Sequence, residues 1–336
     1  MTLAGIVFTT PWQLRVNPHL DQARDEAIAW MADFGLLHGE QAVTDFVEWR
    51  LAEVAAYFYP NAAADQCAVA AQMMGWYFLP FDDQLDGELG YSPRRVADVC
   101  RQLIDIVHGG RAPRQAAPTV VAFADLWPRM VRTASPTLRA RLAGNWSSYF
   151  SSQVTEALDR VNGYAYTDLT EYFWLRAAST CAFGQNDLAE CWGGIEVPAE
   201  LWHHPLLMRM RQLAADVVAL CNDATSTSHE DVTGLHNALH IIERTRGCDR
   251  PEALRQAAAL AQGKVDELAV LESEDLARML HRLGPTDAEA LLGYRDVLHD
   301  WICGDFEWER TSTRNQSHRT VPDWAASLLV PAGGSR

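Results

Sequence analysis

Gly75-Trp76-Tyr77-Phe78-Leu79-Pro80-Phe81-Asp82-Asp83-Gln84-Leu85-Asp86 runs from an apolar stretch straight into three carboxylates. The apolar part reads as a buried helix, and in a helix Asp82 and Asp86 are i and i+4, on one face about one turn apart. Carboxylates so close repel one another unless a cation lies between them. Mg²⁺ fits that role, because it takes hard oxygen ligands from one or two carboxylates together with the phosphates of a substrate. Taken alone, the pentad also fits an ordinary charged helix end.

A second stretch changes the balance. Asn222-Asp223-Ala224-Thr225-Ser226-Thr227-Ser228-His229-Glu230 closes another apolar run, Leu213 to Cys221. Asn222, Ser226 and Glu230 fall at i, i+4 and i+8, a stripe of oxygens over roughly 12 Å of one helix face. Amide carbonyl, hydroxyl and carboxylate suit Mg²⁺ and not zinc, which prefers His and Cys. Capping residues at a polar helix end would give a similar composition, but two such stripes in one chain are harder to set aside.

These motifs resemble those of the bacterial class I terpene synthases. The family's aspartate-rich motif matches Asp82-Asp83-Gln84-Leu85-Asp86, and its Asn-Asp-x-x-Ser-x-x-x-Glu motif matches Asn222, Asp223, Ser226 and Glu230. A diphosphate-sensing arginine stands upstream of that Asn in the family, and Arg176 occupies the place. An Arg-Tyr pair preceded by Trp closes the family's pattern; Trp308-Glu309-Arg310-Thr311 fills it here, with Thr311 for Tyr. His229 replaces the usual Lys. Asn17-Pro18-His19 and Gly234-x-His236-Asn237 also fit, so the resemblance runs from about residue 17 to 311.

The resemblance implies an all-α fold around an apolar cavity and a Mg²⁺-dependent cyclase with three metal ions. Its substrate is a linear prenyl diphosphate: farnesyl first, geranylgeranyl next. Asp82, Asn222, Ser226 and Glu230 are implied metal ligands, Asp86 a ligand or a support for metal-bound water, and Asp83 the partner of an arginine, in the family the equivalent of Arg310. Arg176 and Arg310 would bind the diphosphate through the guanidinium fork, with His229 and Thr311 beside it. Ser179 and Thr180 occupy places that act with the sensor. Tyr57, Trp76, Phe78, Tyr172, Phe173 and Trp308 lie on segments expected along the cavity, with Trp308 the best placed.

The chain has 336 residues, 48% of them hydrophobic, and a formal charge of −16. That charge argues against nucleic acid and anionic membranes as partners, and an anionic substrate then needs cations that reverse the sign locally. Seven cysteines without a Cys-x-x-Cys argue against a disulfide scaffold or zinc cluster. No apolar stretch approaches the length of a membrane span, and the N-terminus has no basic start before its short apolar run. The expectation is a cytosolic monomer or homodimer.

Apolar spacing predicts helices over 20–37, 40–57, 63–86, 94–108, 118–132, 137–161, 167–183, 205–229, 233–246, 251–273 and 286–311. Ser92-Pro93, Ser135-Pro136 and Thr286-Asp287 mark starts, and Gly163, Gly247 and Gly284 mark stops. Pro80 should bend its helix beside the acids. One helical domain is expected, with 312–336 as a tail placed to order over the site. Two other readings share parts of this pattern. A chain-elongating prenyltransferase has the same fold, but would carry a second Asp-rich pentad where Asn222, Ser226 and Glu230 stand. A non-catalytic helical binding protein would leave both stripes and the arginines as coincidence.

Overall fold

The computed structural model describes residues 2–3, 6–7, 9–315 and 328–329. A short antiparallel pairing of β1 (Thr2–Leu3) with β2 (Ile6–Val7) precedes an otherwise all-α chain. These strands are too short to bury a face of their own.

Helices α1 (Leu20–Asp33), α2 (Gly39–Glu48) and α3 (Leu51–Phe58) come first. The helix expected over 40–57 is broken, because Arg50 adopts left-handed backbone with φ 56°. Helix α4 (Ala64–Trp76) runs into a π-helical segment, Tyr77–Asp82, and then α5 (Asp83–Asp86). Pro80 lies inside the π segment, so the lost backbone donor is absorbed by a wider turn that delivers the aspartates.

Proline at the first turn opens α6 (Pro93–Val107), α7 (Pro118–Met130) and α8 (Pro136–Asn162). Ser135 Oγ accepts the Leu138 amide at 3.1 Å, and Gly163 ends α8 at φ 62°. The helix expected over 167–183 divides into α9 (Leu169–Ser179) and α10 (Ala182–Gly193) at Cys181, φ 55°.

After α11 (Ala199–Trp202), the long α12 (Pro205–Thr233) ends at Gly234 with φ 70°. The Asn237 Oδ1 accepts the Leu239 amide at 2.7 Å and starts α13 (Ala238–Arg246), later than the expected 233. Helix α14 (Arg250–Leu271), a π turn at Glu272–Leu276, α15 (Ala277–Leu280) and α16 (Pro285–Thr311) complete the order. Gly284 is an extended residue leading into α16, not a stop, and that helix begins on Pro285 ahead of Thr286.

Helix α3 packs against α4 and α16, α8 against α9 and α10, and α12 against α9, α14 and α16. Seven segments thereby surround one chamber: α3, the π segment with α5, α8, α9, α10, α12 and α16. Beneath it, Trp76 stacks on Phe81 with ring centroids 5.0 Å apart, touches Phe123 and Phe150, and donates to the Thr119 carbonyl at 2.9 Å. Trp76 is therefore a packing residue, fully buried and off the chamber wall, contrary to the substrate contact expected of it. All seven cysteines are free thiols. No helix among the described residues is long and apolar enough to cross a membrane.

Candidate active site

The chamber encloses about 890 Å³ including its open mouth. The two acidic stripes meet there: Asp82 and Asp86 face it from the π segment and α5, and Asn222, Ser226, His229 and Glu230 from α12. Ligand oxygens of Asp82, Asp83 and Asp86 lie within 4.8 Å of one another. His229 Nε2 approaches Asp86 Oδ2 at 3.4 Å and links the stripes.

Arginines hold both stripes. Arg176 on α9 donates from Nη2 to Asn222 Oδ1 at 2.6 Å and to Asp223 Oδ1 at 3.1 Å. Burial opposes its charge, yet Tyr172, Asp223 and Glu230 outweigh that and raise its pKa well above the ordinary value. Asp223 is in turn bonded by the Tyr172 hydroxyl at 2.7 Å and the Ala238 amide at 2.8 Å. It faces away from the chamber and fixes the arginine. Asn237 donates to Glu230 and to the Asp223 carbonyl, binding the end of α12 to the start of α13. Asn17 has a comparable structural use: its Nδ2 donates to the Tyr59 and Ala62 carbonyls, each at 2.8 Å.

The arginine at the Asp-rich stripe is Arg314, not Arg310. Its Nη2 donates to Asp82 Oδ2 at 2.6 Å and Asp83 Oδ1 at 3.1 Å, and its guanidinium lies over the Phe78 ring at 4.6 Å. Arg310, on the last turn of α16, is half-exposed and forms its ion pair with Glu307. Thr311 donates back to the Glu307 carbonyl at 2.7 Å and does not line the chamber. Helix α16 ends at Thr311, and the chain beyond it turns inward, bringing Arg314 and Asn315 to the wall. Of the expected tail, Arg314 and Asn315 thus reach the site, Leu328 and Leu329 are buried, and 316–327 and 330–336 lie outside the described residues.

The wall is aromatic. Phe78 packs on Trp308 at 4.8 Å, Tyr77 stacks on Tyr149 at 5.3 Å, and Phe58 meets Trp301 edge-on. Trp308 and Phe78 are where the sequence placed them. Tyr57, Tyr172 and Phe173 are not on the wall; Phe58, Tyr77 and Trp301, on the same segments or near them, are. Ser179 and Thr180 line the chamber, Thr180 Oγ1 bonding back to the Arg176 carbonyl at 2.8 Å. Gln153, Glu156, Gln185, Asp305 and Asn315 also line it and were not foreseen. Polar positions in otherwise apolar helices were the available signal for most of them. Glu309, bonded to Asn222 Nδ2 at 2.6 Å and Thr225 Oγ1 at 2.6 Å, braces the second stripe from α16.

The carboxyl groups here outnumber the cations that face them. Burial and then Asp223 push the Glu230 carboxyl upward, and burial likewise raises Glu309. Hard oxygen donors in two groups, with acids that burial disfavours as anions, fit divalent cations.

Residues 72–267 match the family model for terpene synthase family 2, C-terminal metal binding. The chain belongs to the bacterial class I terpene synthases. As a member of that family it is a lyase acting on prenyl diphosphates, and a divalent metal belongs at its site. It is 32% identical to the 7-epi-alpha-eudesmol synthase of Streptomyces viridochromogenes over 316 residues, 91% of each chain. To the pentalenene synthase of Streptomyces arenae it is also 32% identical, covering 97% of both. The crystal structure of germacradien-4-ol synthase from Streptomyces citricolor superposes with a TM-score of 0.81 at 31% identity, over 92% of this chain and 99% of that one. This terpene synthase is a cyclase by its relatives, and chain elongation is not favoured.

Proposed function

We propose that this class I terpene synthase cyclises farnesyl diphosphate, using three Mg²⁺ ions held by Asp82 and Asp86 on one side and Asn222, Ser226 and Glu230 on the other. The observation that carries the reading is the meeting of two hard-oxygen stripes at the mouth of one aromatic chamber. The similar 7-epi-alpha-eudesmol synthase cyclises farnesyl diphosphate, which supports the fifteen-carbon substrate. The helices act as one catalytic domain, with Arg314 and Asn315, just past the end of α16, completing the wall.

Bound there, Mg²⁺ supplies Lewis acidity to the phosphate oxygens and so eases departure of the diphosphate. The protein's own groups do the rest. Arg176 donates to Asn222 Oδ1, and Arg314 donates to Asp82 and Asp83. A guanidinium and a metal cation would share the same oxygens, and Arg176 and Arg314 stand where their planar forks would suit a diphosphate. Asp83 stays with Arg314 as its anchor. His229, 3.4 Å from Asp86, stands at the mouth between the two stripes.

Phe58, Tyr77, Phe78 and Trp308 keep bulk solvent out and present ring faces to the cation, each worth about 0.5–2 kcal/mol. Incubation with geranyl, farnesyl or geranylgeranyl diphosphate and Mg²⁺, with gas chromatography–mass spectrometry of a hexane extract, tests the proposal. A cyclic fifteen-carbon terpene is expected from farnesyl diphosphate. A longer linear diphosphate, made only with added isopentenyl diphosphate, would contradict it.

A further inference from the structure

Two buried polar groups on the chamber wall have no use in the ionisation just described. Trp301 and Asp305 are one turn apart on α16, both line the chamber, and they are 3% and 5% exposed. The Trp301 Nε1–H and the Asp305 Oδ2 have no hydrogen-bond partner among the described residues. Buried polar atoms in native proteins are nearly always satisfied, by protein or by ordered water. One of these is a donor and the other an acceptor, and i, i+4 spacing puts both on one helix face. A single water molecule can accept from the first and donate to the second.

Trp301 faces the apolar part of the chamber, and Asp305 stands between it and Glu309 and Arg176 nearer the mouth. The Phe58 ring meets Trp301 at 5.9 Å, and Val54 and Val218 belong to the same wall. A water held here stands where the polar mouth meets the apolar wall along which the substrate's carbon chain must fold.

We infer that Trp301 and Asp305 hold the water that ends the reaction, so that the main product is a terpene alcohol. This rests on the cyclase reading above and specifies its product class. The water oxygen forms a C–O bond with the cationic carbon, and the resulting oxonium gives its proton to the released diphosphate, leaving a neutral alcohol and hydrogen diphosphate. Burial, with Glu309 one turn away, pushes the Asp305 carboxyl well above its ordinary range. Its part is to orient the water through a hydrogen bond, which an amide can also make. Asp305 and Trp301 are positioning residues.

The test is product analysis in water enriched in oxygen-18, with farnesyl diphosphate and Mg²⁺. Wild type should give mainly an alcohol carrying the heavy oxygen. In Trp301→Phe and Asp305→Leu the alcohol-to-hydrocarbon ratio should fall roughly fivefold or more, the scale of one lost hydrogen bond, and Asp305→Asn should keep the wild-type ratio. Hydrocarbons alone from wild type overturn the inference while leaving the cyclase reading intact, and this measurement needs no variant to fold. An unchanged ratio in Trp301→Phe and Asp305→Leu also overturns it. Absence of any terpene from wild type overturns the cyclase reading and this inference with it.

Discussion

The Asn222 carboxamide is held at both ends, its Oδ1 by Arg176 and its Nδ2 by Glu309. That clamp orients the carbonyl oxygen and couples it to Arg176, the arginine proposed to bind the diphosphate. Asp82→Ala or Asn222→Ala should lower turnover by roughly 100-fold or more with unchanged helical circular dichroism. Near-normal rates would remove these residues from the metal site. Arg314→Ala should cost a similar factor, whereas Arg310→Ala, which cuts only a surface pair, should stay within about twofold. Steady-state kinetics on both variants separate the two arginines. The aspartates and the Asn222 stripe were legible because i, i+4 spacing is a local rule. Arg314 was not: its role depends on where α16 stops, and helix ends are poorly fixed by sequence. Its contact with Asp82 also spans most of the chain.

At the level of elements, two of the departures from sequence expectation are breaks without glycine. Arg50 and Cys181 take left-handed backbone that favours Gly or Asn, so neither break announced itself. The Cys181 break turns the chain so that Thr180 and Gln185 both face the chamber. Gly184 lies just beyond, where an added Cβ would come 2.7 Å from Cys181 Sγ and 3.0 Å from the Trp146 ring. Gly184→Ala should therefore destabilise by about 1–3 kcal/mol, read as a lower denaturant midpoint. Unchanged stability would show that α8 and α10 can separate freely. Gly163 and Gly247, by contrast, were readable stops, both left-handed. Pro80 was visible too, but that it would widen a helix instead of kinking it depends on the packing of Tyr77 and Phe81 on either side.

Across the whole molecule, excess buried negative charge ties stability to ligand binding. Burial raises the Glu230 carboxyl from its ordinary 4.5 to about 8, and Asp305 and Glu309 shift the same way. A carboxyl whose pKa is raised on folding stabilises fully below its unfolded value, and that contribution is lost as pH rises toward the folded value. His236, lowered by burial, opposes this only below its ordinary 6.5. The ligand-free Tm should thus fall by a few degrees between about pH 7 and pH 8, measured by calorimetry. Added Mg²⁺ with diphosphate should raise Tm more at the upper pH, because the bound state requires ionised acids. A ligand-free Tm that rises over this range would contradict the assignment of these acids. The chamber itself was foreseen as a consequence of family resemblance; its polar lining was not, because which polar residues of a long helix face inward depends on seven segments at once.

The claim on which all of this depends is that both stripes load together around one diphosphate. A crystal of the protein with Mn²⁺ and diphosphate, measured for anomalous scattering, tests it most directly. Metal peaks beside Asp82 and beside Asn222, Ser226 and Glu230, with the diphosphate between them and Arg176 and Arg314 turned toward it, are expected. Peaks on one stripe alone, or a diphosphate bound away from the chamber mouth, would contradict the account.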